Sequence, residues 1–142
     1  MGILEKVEGG LISKHPDPIW GRMLAYKKGI IIAFSKILDE VIIRVEKNDY
    51  PEELKKDIFG EVLKQAIAHG LVKERELQER LLVEASTVNR WRNAESIPPK
   101  KKQMLVLNLI HDSIGRTLAA IEEFEAELKR RPDISKKAGR RV

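Results

Sequence analysis

Apolar residues at Ile30, Phe34, Ile37, Leu38, Val41, Ile42 and Val45 recur at helical spacing, and they predict a long helix over about residues 22–47, buried on more than one side. The triplets Ile30-Ile31-Ile32 and Val41-Ile42-Ile43 leave short strands as the alternative there. Residues 1–20, with paired glycines and the run His15-Pro16-Asp17-Pro18, read as loop with at most a short turn of helix. After the break at Asn48 and Asp49, Pro51-Glu52-Glu53 reads as the first turn of a second helix, with Asp49 or Tyr50 near its cap. Its apolar stripe is Leu54, Ile58, Val62, Ala66 and Ile67, and it ends at His69-Gly70, where glycine supplies a left-handed residue. A short helix over 74–82 follows, with Leu77 and Leu81 on one face. A second short helix covers 84–93. From near Pro99 a helix of about 30 residues carries Met104, Leu107, Ile110, Ile114, Leu118, Ile121, Phe124 and Leu128 at spacings of three and four. Its acidic Glu122, Glu123, Glu125 and Glu127 precede the basic Lys129, Arg130 and Arg131, an order that suits the helix dipole.

This pattern predicts an all-α protein, a helical bundle with long N- and C-terminal helices. The organisation expected is a loop segment over 1–20, a packing or dimerisation helix over 21–50, a domain over 51–110, a helical extension over 111–131 and a disordered basic tail over 132–142. No internal repeat is visible.

The 142 residues suit one domain with extensions. Apolar residues make up 42% and charged residues 35% of the chain, with only 5% aromatic, a balance typical of helical proteins. With no cysteine there is neither a disulfide nor a thiolate metal site, and a reducing cytoplasm is the expected setting. The N-terminus lacks the pattern of a secretory signal. The run over 29–45, interrupted by Ser35, Lys36, Asp39, Glu40 and Arg44, is expected to be a core helix and not a membrane anchor. The formal charge of +5 is unevenly placed. Residues 129–142 hold seven Lys or Arg and one Asp, a net +6, so the remaining chain sums to −1. Bulk basicity therefore says little about the folded body.

The informative feature is the pair of short helices with almost nothing between them. A connection that short makes the helices cross steeply, as in a helix-turn-helix, with one face of the second helix on the core and the other free to enter a DNA major groove. Leu77, Leu81, Val83, Val88 and Trp91 form the inward set; Ala85, Ser86, Asn89 and Arg90 face outward. Residues 71–107, within a frame of about 52–110, resemble the lambda-repressor-like family of Cro and Xre-type regulators. That family's pattern reads roughly L-G-V-S-x-x-T-V-S-R-W-E-x-G, with a proline seven residues after the tryptophan. Leu81, Val83, Thr87, Val88, Arg90 and Trp91 match it in register, and Pro98 stands seven beyond Trp91.

The chain also departs from the pattern. Leu82 stands where the family has the turn glycine, which predicts a reshaped turn, because a non-glycine residue at positive φ costs on the order of 1 kcal/mol. Gln78 replaces a small residue at the helix crossing and predicts wider spacing there. Arg92 and Ala94 replace an acidic residue and a glycine, and Glu84 occupies the capping position of Ser or Thr.

The resemblance implies double-stranded DNA as partner, with Ala85, Ser86 and Arg90 at base edges and Asn89 a neighbouring candidate. Arg suits guanine, Asn suits adenine, and Ala suits a thymine methyl. Thr87, Asn93, Lys100, Lys101 and Lys102 are the candidates for phosphate contact. The three lysines open a helix whose dipole they oppose, which an anion would offset. Arg90 as a solvated residue in a surface ion pair, and the lysines as a solvated run, are the alternatives. Val88 and Trp91 are assigned to the core. The basic tail reads as a nonspecific electrostatic arm.

No cofactor, metal site or catalytic activity is expected. His15, His69 and His111 lie far apart, and the chain has no phosphate loop, no paired histidines on a helix face and no nucleophile elbow. No ligand pocket is legible in the pattern. The surplus apolar surface of the long helices, and the doubled half-sites of symmetric DNA readers, predict a cytoplasmic homodimer held by the N-terminal helix and the segment around 110–128. The reading is a prokaryotic or phage transcriptional regulator, a repressor by type. The alternatives are a helical protein-interaction or structural protein with a degenerate helix-turn-helix, and an antitoxin-type regulator that binds DNA and a protein partner.

Overall fold

In a computed structural model, which describes residues 18–130, the protein is all-α, a helical bundle with no strand among the described residues. The helices are α1 (Pro18–Glu46), α2 (Glu52–Ala68), α3 (Glu74–Leu81), α4 (Ala85–Arg92) and α5 (Lys100–Arg130). Most of the N-terminal loop segment and all of the basic tail fall outside the described residues. α1 begins at Pro18, inside the stretch expected to be loop. Proline suits a first helical position, where its missing N–H would have no intrahelical partner. The apolar triplets of α1 are helical, not strands.

The described residues form two compact units that share the long helices: Ile31–Thr117 is one, and residues 18–30 with 118–130 the other. The larger unit thus takes in the second half of α1 and the first half of α5 as well as α2, α3 and α4. Its core draws Ile31, Phe34, Leu38 and Val41 from α1, Leu63 and Ala66 from α2, and Val106, Leu107 and Ile110 from α5, all buried. Within this unit α1 and α5 run antiparallel: Asp39 lies 3.7 Å from the His111 imidazole, and the Lys100 ammonium donates to the Glu46 carbonyl at 2.8 Å. His69 is half-buried, its ring 5.9 Å from that of Phe34. In the smaller unit Leu24 and Ile121 are buried, and Lys28 bridges Glu125 at 3.0 Å and Glu122 at 3.6 Å. The hydrogen bond that Lys28 donates to Glu125, and then both carboxylates' charge, holds its ammonium above its ordinary pKa.

The buried stripe of α2 is rotated from the expected one. Phe59, Val62, Leu63 and Ala66 face inward, while Leu54 at the first turn is 44% exposed. The cap of this helix is Pro51, without a side-chain hydrogen bond. By length and composition α5 is also long and apolar enough to cross a membrane, although its apolar positions include the buried Val106, Leu107, Ile110, Ile114 and Ile121 of the fold.

α2 packs against α4, and the backbones approach closely at Gly60. A Cβ there would stand 2.8 Å from the Trp91 carbonyl oxygen and 3.3 Å from the Ala94 nitrogen, both backbone atoms that no side-chain rotation can move. Glycine inside a helix is ordinarily a defect of about 1 kcal/mol relative to alanine. Here steric exclusion outweighs that propensity. Gly60→Ala is therefore expected to destabilise the fold by about 1–3 kcal/mol, the usual range for overpacking, as read by urea denaturation. A gain in stability would show that propensity governs this site.

Candidate nucleic-acid interface

α3 and α4 are each eight residues long, too short to be stable alone, so their geometry depends on what they bury. Leu77 and Leu81 of α3 and Val88 and Trp91 of α4 are all buried, and Val83 between the helices is half-buried. The Trp91 ring meets Phe59 of α2 edge-on, with centroids 6.3 Å apart, a favoured aromatic geometry. With that side fixed, Ala85, Ser86, Asn89 and Arg90 lie exposed on the opposite side, joined by the exposed Asn93 at the helix end. Thr87 is half-buried.

Only Leu82, Val83 and Glu84 connect the two helices. Leu82 adopts the left-handed conformation, φ 55° and ψ 49°, and the Gln78 carbonyl accepts the N–H groups of both Leu82 and Val83. The turn is therefore not reshaped by the absence of glycine; leucine takes the strained conformation, with its side chain 89% exposed. The end of α4 repeats the device. Ala94 has φ 61°, and the Glu95 N–H reaches back to the Arg90 carbonyl at 2.9 Å. Asn48 after α1 and Gly70 after α2 end their helices likewise, the latter as expected of its glycine. Glu84 stands at the N-terminus of α4 with an exposed side chain that makes no capping hydrogen bond.

Arg92 links the helices through its guanidinium. Nη1 donates to Glu74 Oε1 at the start of α3 at 2.6 Å, and Nη2 donates to Asn89 Oδ1 at 2.8 Å. Asn89 is thereby held by its oxygen, which leaves its NH2 group as the outward donor. Sequence reasoning missed this bridge, since residues 18 positions apart carry no local signal of pairing. Arg90, by contrast, is exposed on the outer face, and the ion pair of this helix belongs to Arg92.

The three lysines of α5 do not act as one run. Lys101 is exposed, Lys102 is half-buried, and the Lys100 ammonium is engaged on the C-terminal end of α1. A cation there complements the partial negative charge of the α1 carbonyls. The loop into α5 is held by Pro98, which is buried and whose carbonyl accepts from Gln103 Nε2 at 2.9 Å.

Comparison of the chain with protein-family models, curated proteins and solved structures finds no match.

Because Leu82 is strained and its side chain is almost wholly in solvent, Leu82→Gly should raise stability by about 1 kcal/mol. Chemical denaturation would register this as a higher midpoint at unchanged slope. A lower midpoint would mean that the leucine side chain stabilises the turn in some other way.

Proposed function

We propose that the protein is a sequence-specific, homodimeric DNA-binding regulator of the lambda-repressor-like helix-turn-helix type, which docks α4 in the major groove. The observation that carries this reading is conformational. Leu82 and Ala94 are the two positions at which that family's pattern has glycine, and both have left-handed backbone although neither is glycine. A chain with no need of that geometry would not be expected to spend strain at both positions. The exposed face of α4 agrees, since Ala85, Ser86, Asn89 and Arg90 share it while Val88 and Trp91 are buried.

In this reading Arg90 donates two hydrogen bonds to guanine, and Asn89, held by Arg92, donates through its NH2 to a base or phosphate acceptor. Ala85 meets a thymine methyl, and Ser86 reaches a base edge. Thr87, Asn93, Lys101 and Lys102 bind phosphates, and Lys100 joins them only by leaving the Glu46 carbonyl. The setting is the cytoplasm. A second reading, a helical protein-interaction module, is favoured by one feature, the exposed Leu82 at the tip of the turn. Apolar surface there suits a protein better than a phosphate backbone.

The dimer is proposed to form along α1. Beside its buried residues, the helix carries Met23, Tyr26, Ala33 and Ile37 exposed and Ile30 half-buried, at alternating spacings of three and four. That is the seam by which two helices pair.

Two measurements test these points. Against DNA upstream of its own gene, Arg90→Ala should lose about 1–3 kcal/mol of site preference, the range of a bidentate base contact, while binding to unrelated DNA changes little. Unaltered preference would remove α4 as the reading helix. Tyr26→Glu with Ile37→Glu should convert the dimer to monomer in light scattering, and a dimer that persists with these charges would exclude the α1 seam.

A further inference from the structure

Beside the helix pair, the larger unit forms a half-open pocket of about 400 Å³ between the C-terminal end of α1, the start of α2 and the loop entering α5. Its size lies within the range of about 300–1,000 Å³ typical of sites for small organic molecules. No local pattern announces it, because its walls join residues 41–59 to residues 97–103.

The lining divides by chemistry. Val41, Val45, Ile58, Phe59, Ile97 and Pro98 supply apolar wall. Arg44, Lys55 and Lys100 bring three cations to it, against the one carboxylate of Glu52. Two of the cations are only loosely committed. Arg44 pairs with Glu40 and Lys55 with Glu52, each within one helix and each with a largely exposed carboxylate. Such pairs contribute little and exchange readily. Tyr50 also lines the space, half-buried beneath the Arg44 guanidinium at 5.5 Å from its ring centroid, and burial pushes its phenol above the ordinary pKa, so it remains a hydrogen-bond donor.

We propose that this pocket binds a small monocarboxylate with an apolar body, the carboxylate between Arg44 and Lys55 and the body against Val45, Ile58 and Phe59. The balance of the lining excludes the simpler candidates. A bare anion would leave the apolar wall unused, and a neutral apolar molecule would leave Arg44 and Lys55 with only their exposed intrahelical carboxylates.

The site is also connected to α4. Phe59 forms part of the pocket wall and meets Trp91 edge-on, while Ile97 and Pro98 belong to the segment that leaves α4. An occupant that shifts Phe59 therefore shifts the anchor of the outward face. That a ligand here would change DNA affinity rests on the function proposed above; that the pocket binds the ligand does not.

The test uses the full chain without DNA, so that its failure is separate from failure of the DNA reading. Trp20→Phe leaves Trp91 as the only tryptophan, and its emission is titrated with octanoate, with octanol and acetate as the neutral and headgroup-only probes. Octanoate is expected to give a saturable change, octanol to bind on the order of tenfold more weakly, and acetate to give none. Arg44→Gln combined with Lys55→Gln should weaken octanoate about tenfold, the combined effect of two exposed ion pairs. Glu52→Gln should tighten it, and neither change should alter octanol binding. Val45→Phe, which fills the space, should abolish the response with helicity retained by circular dichroism; if that variant does not fold, the charge variants decide. Absence of saturation, equal affinity for octanoate and octanol, or indifference to both the charge variants and the filled pocket would overturn the proposal.

Discussion

The candidate interface depends on the seating of α4 against α2. An eight-residue helix has no stability of its own, and α4 is held by Val88 and Trp91 on one side and by backbone contact at its end. The absence of a side chain at Gly60 lets the carbonyl of Trp91 approach closely. Phe59, the preceding residue, turns its ring against the Trp91 indole. Adjacent positions of one helix thus fix both the depth and the rotation of another. The outward placement of Ala85, Ser86, Asn89 and Arg90 follows from that seating, because residues on the far side of a pinned helix have nowhere to go but solvent.

Helix endings set the directions in which successive elements leave. α1, α2, α3 and α4 are each followed by a residue at positive φ, and only one of the four is glycine. Asn48 suits the conformation because a short polar side chain tolerates it. Leu82 and Ala94 do not, and the strain at both is sustained by burial on either side, with Leu81 before the turn and Trp91 before the second ending. The two ends of α4 are therefore the strained parts of the molecule, and they define where its exposed face begins and stops. The Arg92 bridge to Glu74 and Asn89 adds a polar tie across the same pair of helices.

Much of this was legible in the chain. Apolar spacing identified four of the described helices and the buried Leu77 and Leu81, because burial on one side of a helix leaves a periodic trace; the helix-turn-helix reading supplied α4 with its buried Val88 and Trp91. Gly70 marked the end of α2 through its conformational freedom. The reading was least accurate where the cause was not periodic. Leu54 matched the apolar spacing of α2 and proved exposed at the first turn, while Phe59 and Leu63 further along are buried. Pro18 opened a helix inside a segment whose prolines suggested loop. Lys100, one of three consecutive lysines, proved to be engaged on the end of a helix more than 50 residues earlier.

The sequence by itself determined the elements, their order and, outside α2, which side of each is buried, because these follow from local spacing and from the conformational preferences of single residues. Tertiary structure alone decided that Gly60 is a contact point, that Arg92 holds Asn89, that leucine at position 82 would accept a left-handed turn, and that residues from α1, α2 and the loop into α5 line a half-open pocket. Each of these joins residues distant in the chain or sets local strain against distant burial. Such terms are fixed only when the packed core settles which backbone conformation has the lower total free energy.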